Sequence, residues 1–249
     1  MANFELTGRK ALITGASSGF GAHWGKLLAA SGAQVALAAR RADKLDALAG
    51  AIGDAATPIT MDVASEESII AGFDAAEAEM GVADTIIVNA GVEGSGMATH
   101  VSAETIAQTL AINLQGAILT AREGAKRMMD ARIERGRIVM IASITASEPS
   151  PGMVAYSASK AGVVQATRTL AREWARRGIS INSISPGYIR TAINDEWFDT
   201  EPGQKQISRF PRKRLMEIAG MDDILLFLAS DAAEYVTGTN FVLDDGQTL

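Results

Sequence analysis

Short runs rich in apolar and β-branched residues recur along the chain, and longer stretches of helical periodicity separate them. The runs fall at residues 10–14 and 34–38, at a weaker stretch ending Ile59-Thr60-Met61, and at 85–88, 137–141, 179–184 and 241–243. Most are apolar throughout rather than alternating, which is how strands covered on both faces read. Leu27 and Leu28 lie on a first helix that stops at Ser31-Gly32, and Lys44, Leu45 and Leu48 open a second. A long helix is predicted from Ser102 to about Arg132, with Ser102 as its cap and Glu104 in its first turn. Another is predicted from about Ala155 to Arg177, stopping at Gly178. Alternating strands and helices predict an α/β, doubly wound parallel sheet of about seven strands, with helices on both faces and right-handed crossovers. The expected organisation is a single domain over residues 1–249. The least regular stretch, 191–211, holds Trp197, Phe198, Pro202, Gly203 and Pro211, and 191–215 is the expected substrate-loop region.

Composition narrows the chemistry. The formal net charge is -6 with no basic stripe, which argues against nucleic acid as a partner. There is no cysteine, so disulfides, thiolate metal sites and a cysteine nucleophile are excluded together. Only His23 and His100 occur, and a histidine-rich metal centre is not expected; both read as surface or packing residues. The opening Met1-Ala2-Asn3-Phe4-Glu5-Leu6 lacks the basic-then-apolar pattern of a secretory signal, and no apolar run reaches the roughly 20 residues of a membrane span. The expectation is a cytoplasmic protein with no membrane partner.

The first strand runs into Thr14-Gly15-Ala16-Ser17-Ser18-Gly19-Phe20-Gly21, and a helix follows. Glycines let the backbone approach a ligand, and a helix start offers free N–H groups and partial positive charge, which suits a pyrophosphate. Gly15, Ser17 and Gly19 also satisfy the Gly-x-Ser-x-Gly elbow of serine hydrolases. That reading needs a histidine late in the chain, and none follows His100. The second strand ends Ala38-Ala39-Arg40-Arg41, with no acid before Asp43. An acid there would select NAD by binding the ribose 2′-hydroxyl; arginines suit a 2′-phosphate, through charge-assisted bonds of about 1.5–3 kcal/mol each. NADP(H) is therefore favoured over NAD(H).

Tyr156 and Lys160 stand four apart on a predicted helix and share a face. An ammonium about 4–5 Å from a phenol, at an effective dielectric of ~20, is expected to lower the phenol pKa by roughly two to three units. The pair would suit proton exchange with an alcohol oxygen. Ser143 ends the fifth strand, Asn89-Ala90-Gly91 follows the fourth and Pro186-Gly187 the sixth, all at the carboxyl edge where such sheets bind ligands. Asn113 sits inside the long helix, a mediocre place for asparagine.

Together these residues resemble the classical short-chain dehydrogenase/reductase family, over nearly the whole chain and in the right order. Residues 14–21 look like its TGxxxGxG coenzyme turn, Asp62-Val63 like its adenine-contacting pair, and Asn89-Ala90-Gly91 like its NAG motif. Asn113, Ser143, Tyr156 and Lys160 match its catalytic tetrad. Pro186-Gly187, with Ile189 and Thr191, matches the segment that holds the nicotinamide carboxamide. The resemblance implies a Rossmann-type domain that moves a hydride between a nicotinamide coenzyme and a ketone or secondary alcohol, without a metal. It gives Tyr156 the acid/base role. Lys160 lowers the pKa of Tyr156 and holds the nicotinamide ribose, Ser143 polarises the substrate oxygen, and Asn113 holds a relay water. Val88, and Asp244-Asp245-Gly246 in place of Asp-Gly-Gly, depart from the family pattern without touching the tetrad.

Substrate contacts are expected from Ser143, Thr145, Tyr156, Tyr188 and Trp197, with Glu93, Gly94, Ser147 and Phe198 nearby. Family members also reduce 3-oxoacyl thioesters, and a non-catalytic nucleotide-binding module uses the same fold. The family pattern further implies a homotetramer built through the helices that carry Asn113 and Tyr156.

Overall fold

The computed structural model describes residues 4–190 and 195–249. Its elements run β1 (Lys10–Thr14), α1 (Gly19–Ala30), β2 (Gln34–Ala39), α2 (Ala42–Ile52), β3 (Ala56–Thr60), α3 (Glu66–Met80), β4 (Thr85–Val88), α4 (Ala103–Leu110) and α5 (Gly116–Asp130), then β5 (Gly136–Ile141), α6 (Val154–Trp174), β6 (Ile179–Pro186), α7 (Asp195–Phe198), α8 (Glu201–Arg209), α9 (Asp222–Ala229) and β7 (Asn240–Leu243). The strands form one seven-stranded sheet in the order β3-β2-β1-β4-β5-β6-β7. Every pairing is parallel.

Neighbouring residues of each strand bury into opposite layers, which explains why the strands read as continuous apolar runs. Leu12, Ile86 and Ile138 join Phe73, Ala121, Met128 and Val163 of α3, α5 and α6 on one face. Ile13, Ile87 and Val139 join Trp24, Leu28, Leu45 and Leu225 of α1, α2 and α9 on the other.

The predicted strands all form. The predicted helix over 102–132 is instead interrupted: α4 passes into a π-helical turn over Ala111–Gln115 before α5 resumes. Ser102 caps it as expected, its hydroxyl accepting from the Thr105 N–H at 3.1 Å. α6 is followed by a 3₁₀ turn, and Gly178 ends it in the left-handed region at φ +74°. The stretch expected to be irregular contains α7 and α8. In α8 the Thr200 hydroxyl accepts from the Gly203 N–H, and proline stands in the first turn. The strand order reverses between β1 and β4, so chains leaving those two ends diverge and open a crevice at the carboxyl edge.

Candidate active site

The carboxyl ends of six strands, β1 to β6, carry the candidate residues. After β1, Gly15 takes φ +70°. A Cβ on Gly21 would collide with the Gly15 carbonyl oxygen and come within 2.8 Å of Asn89 Nδ2. The turn can approach itself and a ligand this closely only with glycine at these positions. Ser18 precedes α1 without a side-chain capping bond, and the first turn of α1 carries no acid. Free N–H groups and an uncompensated positive helix end are what a pyrophosphate requires. Asn89 braces the turn: its N–H donates to Thr14 Oγ1 at 3.0 Å and its Nδ2 to the Thr14 carbonyl at 2.9 Å. The Ala90 N–H adds a bond to the same hydroxyl at 3.1 Å.

Arg41 folds back over the turn. Its guanidinium donates to Ser17 Oγ at 2.7 Å and to Ser18 Oγ at 2.9 Å. Arg40 is exposed beside it. After β3, the Asp62 carboxylate accepts from the Ala64 N–H, and the Val63 carbonyl lies against Gly116.

The Tyr156 group is built from β5, α6 and the π turn. Ser143 Oγ accepts from the Thr145 N–H at 3.2 Å and from Thr145 Oγ1 at 3.1 Å. With its lone pairs so used, the Ser143 hydrogen is left to donate, which favours the charged form of the Tyr156 phenol. One helical turn on, Lys160 is buried; its Nζ donates to the Ile141 carbonyl at 2.8 Å and lies 5.6 Å from the Tyr156 ring centroid. Asn113 is buried in the π turn. Its Oδ1 accepts from the Val92 N–H at 2.8 Å, and its Nδ2 donates to the Val92 carbonyl at 2.8 Å and to Ser159 Oγ at 3.2 Å. Gly91 closes the cluster: a Cβ there would lie 3.3 Å from Asn113 Oδ1 and 3.6 Å from Lys160 Nζ.

The electrostatics correct one expectation. Desolvation is the largest influence on Tyr156 and pushes the phenol up to about 12; the Ser143 bond opposes it, and the Glu93 carboxylate and Tyr188 add to it. Desolvation likewise pushes Lys160 down to about 8. The ammonium was expected to lower the phenol pKa; burial raises it instead, and the same burial disfavours the charged form of Lys160.

After β6, the Gly187 N–H donates to the Leu243 carbonyl at 2.8 Å. Ile189 is buried and bridges to Met216. Thr191 lies outside the described residues. Tyr188 stacks on Phe210 at 5.7 Å and meets Phe198 edge-on at 6.1 Å. Phe198 is buried in the body of the fold, whereas Trp197 stays 43% exposed, so only Trp197 offers a free aromatic face. Gly94 is buried against Thr109, Ser147 Oγ donates to the Ile144 carbonyl, and Glu93 is exposed. His23 pairs with Asp222 at 2.8 Å, and exposed His100 meets Thr99, both away from the Tyr156 cluster. Among the described residues no group of acids and histidines could hold a metal.

Ser159 was missed by sequence reasoning. Fully buried, it donates to the Tyr156 carbonyl at 2.6 Å while accepting from Asn113, so it ties α6 to the π turn. Its place one residue before Lys160 was the available signal. Gln247 was also missed. It accepts from the Tyr188 N–H at 2.6 Å and donates to the Tyr188 carbonyl at 3.1 Å, a contact across 59 positions that no local pattern marks.

The short-chain dehydrogenase family model matches residues 9–202. The chain is 37% identical to D-threitol dehydrogenase of Mycolicibacterium smegmatis, over 99% of this chain and 95% of that one. A short-chain type dehydrogenase/reductase from Mycobacterium marinum superposes with a TM-score of 0.93 at 34% identity, covering 98% of this chain and 97% of that one. A gluconate 5-dehydrogenase from Burkholderia cenocepacia, solved with NADP and tartrate, gives 0.93 at 30% identity, covering 99% and 97%. The parallel sheet, the coenzyme-ready turn and these likenesses agree: the chain belongs to the classical short-chain dehydrogenase/reductase family.

Proposed function

We propose that this chain is an NADP(H)-preferring oxidoreductase, a single catalytic domain that interconverts ketones and secondary alcohols at the Tyr156 cluster. The observation that carries the reading is the convergence of Ser143, Tyr156, Lys160 and Asn113 beside Gly91 at the carboxyl edge of the sheet. When bound, the coenzyme would supply or accept the hydride at its nicotinamide ring. The turn over residues 15–21 cradles the pyrophosphate, with Phe20 on α1 and Asn89-Ala90-Gly91 as its floor. Asp62-Val63 would face the adenine, and Pro186-Gly187 and Ile189, with Thr191 by the family pattern, would hold the carboxamide.

Tyr156 gives its phenolic proton to the carbonyl oxygen during reduction and takes it back during oxidation. A phenol pushed up to about 12 is fully protonated at neutral pH, ready for the acid step. Ser143 donates to the same substrate oxygen, because Thr145 already occupies its acceptor positions. Lys160, anchored on the Ile141 carbonyl, holds the coenzyme ribose and places positive charge beneath the phenol. The Asn113 side chain is taken up by Val92 and Ser159, so its part is to brace the loop under the substrate, and a relay water is left to the main chain of the π turn. Tyr188 and Trp197 border the substrate.

The NADP preference is supported by the cluster of Arg41, Ser17 and Ser18 beside Arg40, a set of donors matched to a phosphate. The Burkholderia gluconate 5-dehydrogenase binds NADP on the same fold. The test is turnover of a panel of ketones, secondary alcohols and 3-oxoacyl thioesters with both coenzymes, for the native chain and for Arg41→Ala. The KM for NADPH should rise about tenfold or more in Arg41→Ala while that for NADH stays put. Equal efficiency with NADH in the native chain would remove the preference.

A further inference from the structure

The chain leaves the sheet at Tyr188 and lies beside it again at Met216, and both points are held by the turn that follows β7. Gln247 holds the departing end through both main-chain groups of Tyr188. Asp245 holds the returning end. Its carboxylate accepts from Arg214 Nε at 2.7 Å and Nη2 at 3.2 Å, and pairs with Arg212 Nη1 at 2.9 Å. The ends also meet each other: the Met216 N–H donates to the Tyr188 carbonyl at 3.1 Å.

Two features set this contact apart from an ordinary surface pair, which contributes little. The Asp245 side chain is only 15% exposed and is engaged by two guanidiniums, one of them bidentate. The backbone is also strained on both sides. Among the described residues three that are not glycine have positive φ, and two of them meet here: Asp245 at +53° and Lys213, between the two arginines, at +50°. Strain of this kind persists where surrounding contacts over-determine it, and it clusters at functional sites. Glycine at 245 would adopt the turn freely but would carry no carboxylate.

We infer that Asp245 is a positioning residue for the substrate: by clamping Arg212 and Arg214 it fixes the returning arm, hence Phe210, hence the Tyr188 ring that stacks on Phe210 beside the Tyr156 phenol. This rests on the reading of that phenol as the reaction centre. The carboxylate is the stationary part, since its turn is pinned by Asp244, which accepts from the N–H groups of Gly246 and Thr248 at 3.0 Å each. The arginines are the movable part, at 65% and 62% exposed, so salt loosens the clamp from the solvent side.

Asp245→Gly and Asp245→Asn test this, because both residues accept a left-handed φ and leave the fold intact. Hydrogen exchange should quicken at the amides of 210 and 212–216 in both variants, with NADPH affinity unchanged. The KM for the carbonyl substrate should rise about fivefold or more with kcat changed less than twofold. Raising sodium chloride from 0.05 to 0.5 M, which shortens the Debye length about threefold, should raise KM in the native chain and not in the variants. Arg212→Gln with Arg214→Gln, combined with Asp245→Asn, should cost no more than either alone. Unchanged exchange at 210–216 overturns the clamp; faster exchange with an unchanged KM overturns its role in positioning substrate. Failure of the oxidoreductase reading would show separately, as a native chain inert toward every carbonyl, while the exchange measurement still decides the clamp.

Discussion

At the scale of single residues, the site is governed by how burial and hydrogen bonding share control of two protons. Tyr156→Phe removes one hydroxyl and no packing volume. It should keep NADPH binding, measured by fluorescence titration, and lose about 10²–10⁴-fold in turnover. The phenol pKa also sets a direction in pH. Protonated up to about 12, it serves reduction across the neutral range, whereas oxidation needs the deprotonated form. Rates of alcohol oxidation should therefore climb from pH 7 to pH 9 while ketone reduction stays flat or falls, and an oxidation optimum below pH 7 would contradict this. Lys160 bears on stability. Its pKa is about 8 in the fold against 10.5 when free, so between those values the unfolded chain binds more protons and stability rises with pH. Lys160→Met should lose that rise: measured against the variant, the native chain should gain stability between pH 8 and 10.5. Denaturant midpoints across that range check the sign.

At the scale of elements, the coenzyme turn and the first helix act as one unit. A methyl group on Gly21 meets the Gly15 carbonyl and the Asn89 amide, and that amide is held in turn by the Thr14 carbonyl. Gly21→Ala should therefore weaken NADPH binding tenfold or more and cost about 1–3 kcal/mol in stability, read by titration and thermal melting. Native-like affinity in that variant would show that the turn is not the pyrophosphate cradle. The same elements show what a sequence discloses. Strand positions were legible because a doubly covered parallel strand must be apolar throughout, as at Ile86-Ile87-Val88. The helix over Glu66–Met80 was not recognised, although Ser65 accepts from the Ser68 N–H and two acids follow it, an ordinary start signal. The π turn could not be read, because an extra residue in a helical turn leaves the apolar spacing almost unchanged; only the awkward Asn113 hinted at it. Tyr156, Lys160 and Ser143 were legible as residue types at given spacings. The direction of their pKa shifts was not, since it depends on desolvation by residues distant in sequence.

At the scale of the whole molecule, the α4–α5 pair has two faces with different uses. Its inner side presents Asn113 to Val92 and Ser159. Its outer side carries a shallow recess lined by Leu110, Leu114, Ile118, Leu119 and two alanines, with Gln115 as the one polar residue. Apolar surface of this kind, backed by the helix that shapes the site, is what a second copy of the chain would cover, in keeping with the homotetramer that the family resemblance implies through the helices that carry Asn113 and Tyr156. A carboxylate at the recess would have to be buried in such a contact at the cost of its hydration. Ile118→Glu should therefore lower the mass seen by light scattering from about four times the 26.1 kDa of one chain. Because the π turn lies directly behind the same face, the dissociated variant should also lose turnover through a less rigid Asn113, with the NADPH affinity of the distant glycine turn little changed. A native mass near 26.1 kDa would refute the assembly. Dissociation with full turnover would mean that the π turn needs no support from a neighbouring chain, and that the bonds of Asn113 to Val92 and Ser159 are enough to hold it.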